Sequence, residues 1–171
     1  MIQIRKEKDS DFEAIKFVND QAFKQPLEGN IVEKIRNTDS EILSLVAETD
    51  NQIVGHIFFS CAEITDHPEI KKGMGLAPMA VLPEYQKQGI GSMLINKGIS
   101  ILKNQNVPFV IVLGHPEYYP KFGFEKASEY GIQSQWDDVP DEAFMILILD
   151  RDKMKNVKGV ARYREEWNEA V

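Results

Sequence analysis

The chain lacks most of what would mark several common function classes. It has one cysteine, Cys61, among 171 residues. No internal disulfide can form, and a zinc site built from several thiolates is excluded. Basic residues are in the minority, 20 against 27 acidic, for a net charge of −7. A general nucleic-acid binder needs the opposite, a basic surface that neutralises phosphates. An acidic balance suits a cationic partner, and equally suits plain solubility. No apolar run approaches the roughly 20 residues of a membrane span, and the opening MIQIRKEKDSDFE has no apolar signal core. The expectation is a soluble, cytoplasmic protein with no membrane partner. There is no internal repeat and no low-complexity linker. The composition is ordinary for a globular protein, 43% apolar and 27% charged, and the length fits one domain with its own core.

Periodicity supplies a provisional element order. Ile2 to Arg5 alternates as a first strand, and Asp9 to Phe23 reads as a helix. In it Ser10 and Glu13 fit a capping box, and Ile15, Val18 and Ala22 recur at helical spacing. A second short helix is expected after Gly29 and Asn30, with Ile31 and Ile35 on one face. Glu41 to Ile64 looks like a β-hairpin whose Asp50-Asn51 pair suits a turn needing positive φ. After a polar loop from Thr65 to Gly73, Met74 to Leu82 is a strand candidate. Its Pro78 cannot donate to a ladder and implies an edge, a bulge or an opening. A helix runs from the glycines at 89 and 91 to about Lys103, with Ile90, Met93, Leu94, Ile101 and Leu102 on one face and Gly98 there for close packing. Pro108 to Gly114 is continuously apolar, the pattern of a strand buried on both faces. Phe122 to Ala127 and Ala143 to Leu149 are later strands around a long polar loop carrying Tyr130 and Trp136. The tail from Asp150 is charged, with Tyr163 and Trp167 as docking points.

The segment from Tyr85 to Leu94, YQKQGIGSML, places two glycines where a helix is about to begin. First-turn amides of a helix lack internal partners and carry partial positive charge, and glycines remove the Cβ atoms that would block an approaching group. The result is an anion site suited to a phosphate or pyrophosphate. Two familiar phosphate motifs fail: no GxxxxGK string followed by Ser or Thr exists, and GxGxxG breaks at Leu94. The pattern Q/R-x-x-G-x-G/A fits, with Gln86, Gly89 and Gly91. The competing reading is that these glycines only shape a tight strand-to-helix turn.

The stretch MAVLPEYQ before the loop and YYPKFGF (Tyr118 to Phe124) after it complete a pattern that resembles the GNAT superfamily of N-acetyltransferases. The resemblance covers residues 1 to 150 and looks most like a bacterial branch of predicted small acetyltransferases. It implies a single domain over 1–171, with a core over 1–150 and a charged C-terminal extension over 151–171. It also implies an α+β fold with a mixed, mostly antiparallel central sheet of about six or seven strands. Helices would cover both faces, and one parallel strand pair would splay apart.

The resemblance further implies acetyl transfer from acetyl-CoA to a primary amine by direct attack in a ternary complex. The pyrophosphate would lie on Gln86, Lys87, Gln88, Gly89, Ile90, Gly91 and Ser92. The pantetheine arm would lie along Met79, Ala80 and Val81, with the Met79 amide donating to the acetyl carbonyl and Val81 bonding the arm. A tyrosine four residues before Gly-Phe would protonate the departing thiolate; here that is Tyr119, with its neighbour Tyr118 beside the cofactor as fallback. Some members carry a glutamate four residues before the carbonyl-binding amide, but here that position is Gly75, which cannot act as a base. Glu63, His115 and a water chain to solvent remain as routes for the amine proton. His56, alternating with apolar neighbours, reads as structural, and Cys61 as a small buried hydrophobe. No metal is implied.

The acceptor pocket would be built from the first two helices, the loop from Thr65 to Lys72, and the loop carrying Tyr130 and Trp136. Asp137, Asp138, Asp141 and Glu142 cluster in that last loop, and an acidic, aromatic rim suits a cationic small-molecule or protein amine. A homodimer is the family expectation. Two other functions compete: a non-catalytic acyl-CoA-binding or sensor module, kept open by Gly75, and an interaction domain without cofactor.

Overall fold

The computed structural model of the chain describes residues 1–38, 41–70 and 73–171. In chain order the elements are β1 (Gln3–Lys6), α1 (Phe12–Phe23), α2 (Leu27–Thr38), β2 (Leu43–Thr49), β3 (Gln52–Ile64), β4 (Gly73–Val81), α3 (Ile90–Asn104), β5 (Phe109–Leu113), β6 (Glu125–Lys126), β7 (Ile132–Ser134), β8 (Phe144–Ile148), α4 (Arg151–Met154) and β9 (Gly159–Arg162). The sheet runs β1-β2-β3-β4-β5-β8-β6, and β9 pairs with both β3 and β7. Pairs β1-β2, β2-β3, β5-β8, β6-β8 and β3-β9 are antiparallel, while β4-β5 and β7-β9 are parallel. This is the mixed α+β sheet expected, extended by two short strands. The chain groups into two compact units: Met1–Phe59, Ala77–Ser100 and Glu166–Ala170 form one, and Ser60–Leu76, Ile101–Glu165 and Val171 the other.

In the first unit, α1 buries Ile15 and Val18, and α2 buries Ile31, Val32 and Ile35. The N-terminal boundary differs from the capping-box reading. A 3-10 turn occupies Asp9–Asp11, and the Asp11 carboxylate accepts from the Lys8 main-chain N–H at 2.7 Å and from Arg5. Helix α2 begins at Leu27, earlier than expected, because Gly29 is an interior helix residue. A Cβ there would lie 2.9 Å from Lys16 Cδ, so the glycine serves the close approach of α1 and α2. The β2-β3 hairpin turns at Asp50 (φ 50°) and Asn51 (φ 61°), as the sequence suggests. On α3, Ile90, Leu94, Ile95 and Leu102 are buried, whereas Met93 is 40% exposed. The buried stripe follows the i, i+4 row through Leu94 and Gly98, which leaves Met93 about 100° off it. Gly98 packs closely as expected: its missing Cβ would lie 2.5 Å from the Phe59 ring.

In the second unit, β5 is buried along Phe109–Val112, the continuous apolar run fulfilled. Residues Phe122 to Ala127 form much less strand than expected. Tyr119–Phe122 is a 3-10 turn closed by Gly123 at φ 96°, and only Glu125–Lys126 pairs with β8. The long polar loop contains β7, whose three residues pair with β9. The tail is folded rather than loose: α4, β9 and the buried Tyr163 belong to the second unit, and Trp167 is buried in the first, so both expected docking points are buried.

Candidate active site

The first unit carries the glycine segment. The end of β4 leads into a 3-10 turn at Pro83–Tyr85, then through Gln86, Lys87, Gln88 and Gly89 into α3. Lys87 (φ 61°) and Gly89 (φ 85°) both lie in the left-handed region, which glycine adopts at no steric cost. A Cβ at Gly89 would meet nothing within 4 Å. The residue is therefore required by its backbone angle, and the space outside it is open. Gln86 folds back so that Nε2 donates to Val81 O at 3.0 Å, and Gln88 Nε2 reaches Glu84 O at 3.3 Å. The first ladder bond of α3 runs from Met93 N–H to Gly89 O. The main-chain N–H groups of Ile90, Gly91 and Ser92 precede it at the positive end of the helix dipole. The Ile90 side chain is core, packed toward Gly55, so only its main chain faces this loop.

Along β4, Met79 and Val81 are half-buried while Pro78 and Ala80 are buried, so alternate residues take opposite sides. The parallel register with β5 covers Met74–Leu76 opposite Val110–Val112 and stops there, short of Pro78. The proline thus follows the end of the paired stretch, as its missing donor demands.

In the second unit, the turn at Tyr119 is built on His115, whose carbonyl accepts from the N–H groups of Tyr118 (3.1 Å) and Tyr119 (3.4 Å). The Tyr119 ring lies against Gly114, where a Cβ would sit 2.4 Å from Cε2. It meets Phe124 and Tyr118 edge-on at 5.7 and 5.2 Å between centroids. Burial, with a smaller contribution from Tyr118, pushes the Tyr119 phenol well above its ordinary value. His115, Pro116, Glu117, Tyr118 and Lys121 line an open cavity of about 600 Å³, with Lys121 Nζ 5.1 Å from the Tyr118 ring centroid. The structure thus brings His115, Tyr118 and Tyr119 together. Glu63 is elsewhere: it is exposed on β3, opposite Arg162 of β9.

One residue was missed as a site candidate. Tyr163, just after β9, turns its hydroxyl to the last parallel rung. It donates to Leu76 O at 2.9 Å and accepts from Leu113 N–H at 3.3 Å. Its ring fills the space beside Gly75, where a Cβ would lie 2.5 Å from Cδ1 and Cε1. The ring also stacks on Trp136, at 5.7 Å between centroids and 27° between planes. The available signal was Gly75 itself, a glycine inside an apolar strand, which marks close approach by another group. Trp136 in turn lines a cavity of about 220 Å³ with Asp137, Val139, Pro140, Asp141 and Phe144 among its walls. Tyr130 stands apart from that cavity's lining, its hydroxyl donating to Glu125 at 2.7 Å. Of the loop from Thr65 to Lys72, Lys71 and Lys72 lie outside the described residues.

His56 is fully buried in the first unit. Asn19 Nδ2 donates to its Nδ1 (3.0 Å), its Nε2 meets Ser44 Oγ (2.9 Å), and Ser44 in turn bonds Glu7. Those partners bear out its structural reading. Cys61 is half-buried rather than core. Among the described residues, no group of three His, Cys, Asp or Glu side chains could hold a metal, and no helix is long and apolar enough to cross a membrane.

A mixed sheet with a parallel β4-β5 pair, and a glycine-opened helix start directly after β4, define an acetyltransferase of the GNAT type. The family model for the acetyltransferase (GNAT) domain matches residues 3–127, and the chain belongs to that family. It is 30% identical over 148 residues to a protein named uncharacterized N-acetyltransferase YhbS of Escherichia coli, covering 86% of this chain and 87% of the relative. It is 37% identical over 136 residues to uncharacterized N-acetyltransferase YjhQ of the same species, covering 78% and 75%. A crystal structure of YhbS in complex with CoA superposes with a TM-score of 0.90 at 29% identity, over 98% of this chain and 92% of that one. A GNAT family acetyltransferase from Brucella melitensis in complex with acetyl-CoA gives 0.80 at 32% identity, over 98% of both.

Proposed function

We propose that this chain moves an acetyl group from acetyl-CoA to a primary amine by direct attack in a ternary complex. The observation that carries the reading is the loop from Gln86 to Ser92. It combines a left-handed glycine, open space outside it and main-chain donors ahead of the α3 ladder, the arrangement a pyrophosphate needs. The CoA and acetyl-CoA held by the two solved relatives support it.

The thioester supplies an activated carbonyl: the amine nitrogen bonds to its carbon, the C–S bond breaks, and the thiolate leaves. The chain has three tasks in that exchange. The Met79 main-chain N–H donates to the carbonyl oxygen as negative charge develops, an effect worth about 3 kcal/mol where such donors have been deleted. Tyr119, a phenol that carries its proton at neutral pH, gives that proton to the thiolate. A base first removes the proton that an amine of pKa about 10 carries at neutral pH. We assign this role to His115, which lines the cavity beside Tyr118; Glu63, on β3 opposite Arg162, and a water chain to solvent are the alternative routes. The acceptor is a cationic amine, for which the cavity walled by Trp136, Asp137 and Asp141 offers charge and an aromatic face.

A thermal-shift titration with acetyl-CoA tests the cofactor half. At a hundredfold excess over Kd, binding adds about 2.7 kcal/mol, roughly 5–10 °C for a chain of this size. The shift is expected in the wild type and absent in folded Gly91→Trp. Thiol release in an amine panel tests the transfer half. A shift without turnover would favour the sensor reading, and no shift at millimolar ligand would remove the cofactor altogether.

A further inference from the structure

We infer that Tyr163 is a positioning residue for the acetyl-transfer step, setting the end of the parallel β4-β5 ladder and linking it to the Trp136 cavity. The inference rests on the acetyltransferase reading above.

Three independent constraints fix this side chain. The hydroxyl bridges the two strands, donating to Leu76 O and accepting from Leu113 N–H at the point where the Met74–Leu76 register ends. The ring occupies the volume that a side chain at residue 75 would take. The main-chain N–H of Tyr163 donates to Gln135 Oε1 at 2.6 Å, next to the Trp136 that stacks on the ring. A parallel ladder interrupted by Pro78 leaves main-chain groups at its last rung with no strand partner beyond it. Buried groups in that state must find another partner, and the phenol is one for both strands at once. A phenol bonded to two main-chain groups holds them in one arrangement, which is what a site needs when small displacements cost large factors in rate. Gly75 and Tyr163 are thus one device: the glycine makes room for the ring, and the ring brings the hydroxyl.

Tyr163→Phe keeps the ring beside Gly75 and on Trp136, and removes only the bridge. In steady-state assays with an amine taken from the panel, kcat should fall about tenfold or more. The KM for acetyl-CoA and the thermal shift with CoA should stay within about twofold of wild type. Gly75→Ala attacks the same device from the other side by displacing the ring, and should lower kcat with the hydroxyl still present. The double variant should lose little more than either single one. A folded Tyr163→Phe protein with wild-type kcat overturns the inference. So does a loss of kcat matched by an equal loss of CoA response, which is the mark of a general structural role. A wild-type protein with neither turnover nor CoA response sinks the acetyltransferase reading itself, and this inference with it.

Discussion

Tyr119 and His56 are both buried titratable groups, and burial keeps each of them neutral. For Tyr119 the neutral form is the proton donor. Its raised pKa keeps the phenol protonated throughout the neutral range, so it contributes no alkaline limb to the rate below pH 10. Tyr119→Phe should lower kcat by about 10²-fold, the low end for general acid catalysis, by a similar factor at every pH from 6 to 9, with acetyl-CoA KM little changed. Steady-state rates across that range check it, and an unchanged kcat would take Tyr119 out of the chemistry. For His56 the neutral form is a stability statement. Desolvation, aided by Arg36, lowers its pKa from 6.5 to about 3. The unfolded chain therefore binds a proton near pH 6.5 that the native state refuses, and stability is lost as pH falls through that window. The loss should be about 2 kcal/mol between pH 7.5 and 5. Asp11, held low by its hydrogen bond to Arg5, keeps its contribution until more acidic pH. Urea melts at the two pH values measure the loss, and His56→Gln should flatten it. Sequence pattern sufficed for His56, whose apolar neighbours announce a buried strand position. It marked Tyr163 as a docking point but could not reach its partners, because nothing local links residue 163 to a glycine at 75.

At the scale of elements, the readable features were those whose cause is local. The hairpin turned where Asp50-Asn51 tolerates positive φ, and α3 began directly after Gly89, whose φ of 85° favours glycine. Misreadings came where a tertiary partner decides. Gly29 marks contact with α1 rather than a helix boundary, Met93 points outward, and β7 is too short to show a period. Gly98 tests this division. Replacing an interior helical glycine by alanine gains about 1 kcal/mol of propensity, so local reasoning expects Gly98→Ala to stabilise. The missing Cβ would fall 2.5 Å from the fully buried Phe59 ring, and overpacking of that kind costs about 1–3 kcal/mol. The tertiary term should win, with Gly98→Ala destabilised by about 1 kcal/mol in urea melts. A stabilised variant would mean the ring moves freely.

Across the whole molecule, the family resemblance was legible because its two motifs are short and lie in order, whereas of the last twenty or so residues only the docking points Tyr163 and Trp167 were legible. The segment is charged and reads as an extension, yet β9 pairs with β3 and β7, and Met154, Val157, Tyr163 and Trp167 are all buried. Burying each such side chain contributes roughly 1.5–3 kcal/mol. The four together therefore approach the whole stability of an ordinary domain, about 5–15 kcal/mol. Removal of Tyr163 also strips the Leu76 carbonyl and the Leu113 N–H of their hydroxyl partner. A chain ending at Asp150 should therefore lack a cooperative urea transition, while one ending at Asn168, which keeps Trp167, should retain it with a lower midpoint. Circular dichroism through a urea series distinguishes the two. A cooperative transition in the shorter chain would make the tail an appendage after all and would place the stabilising core entirely within 1–150.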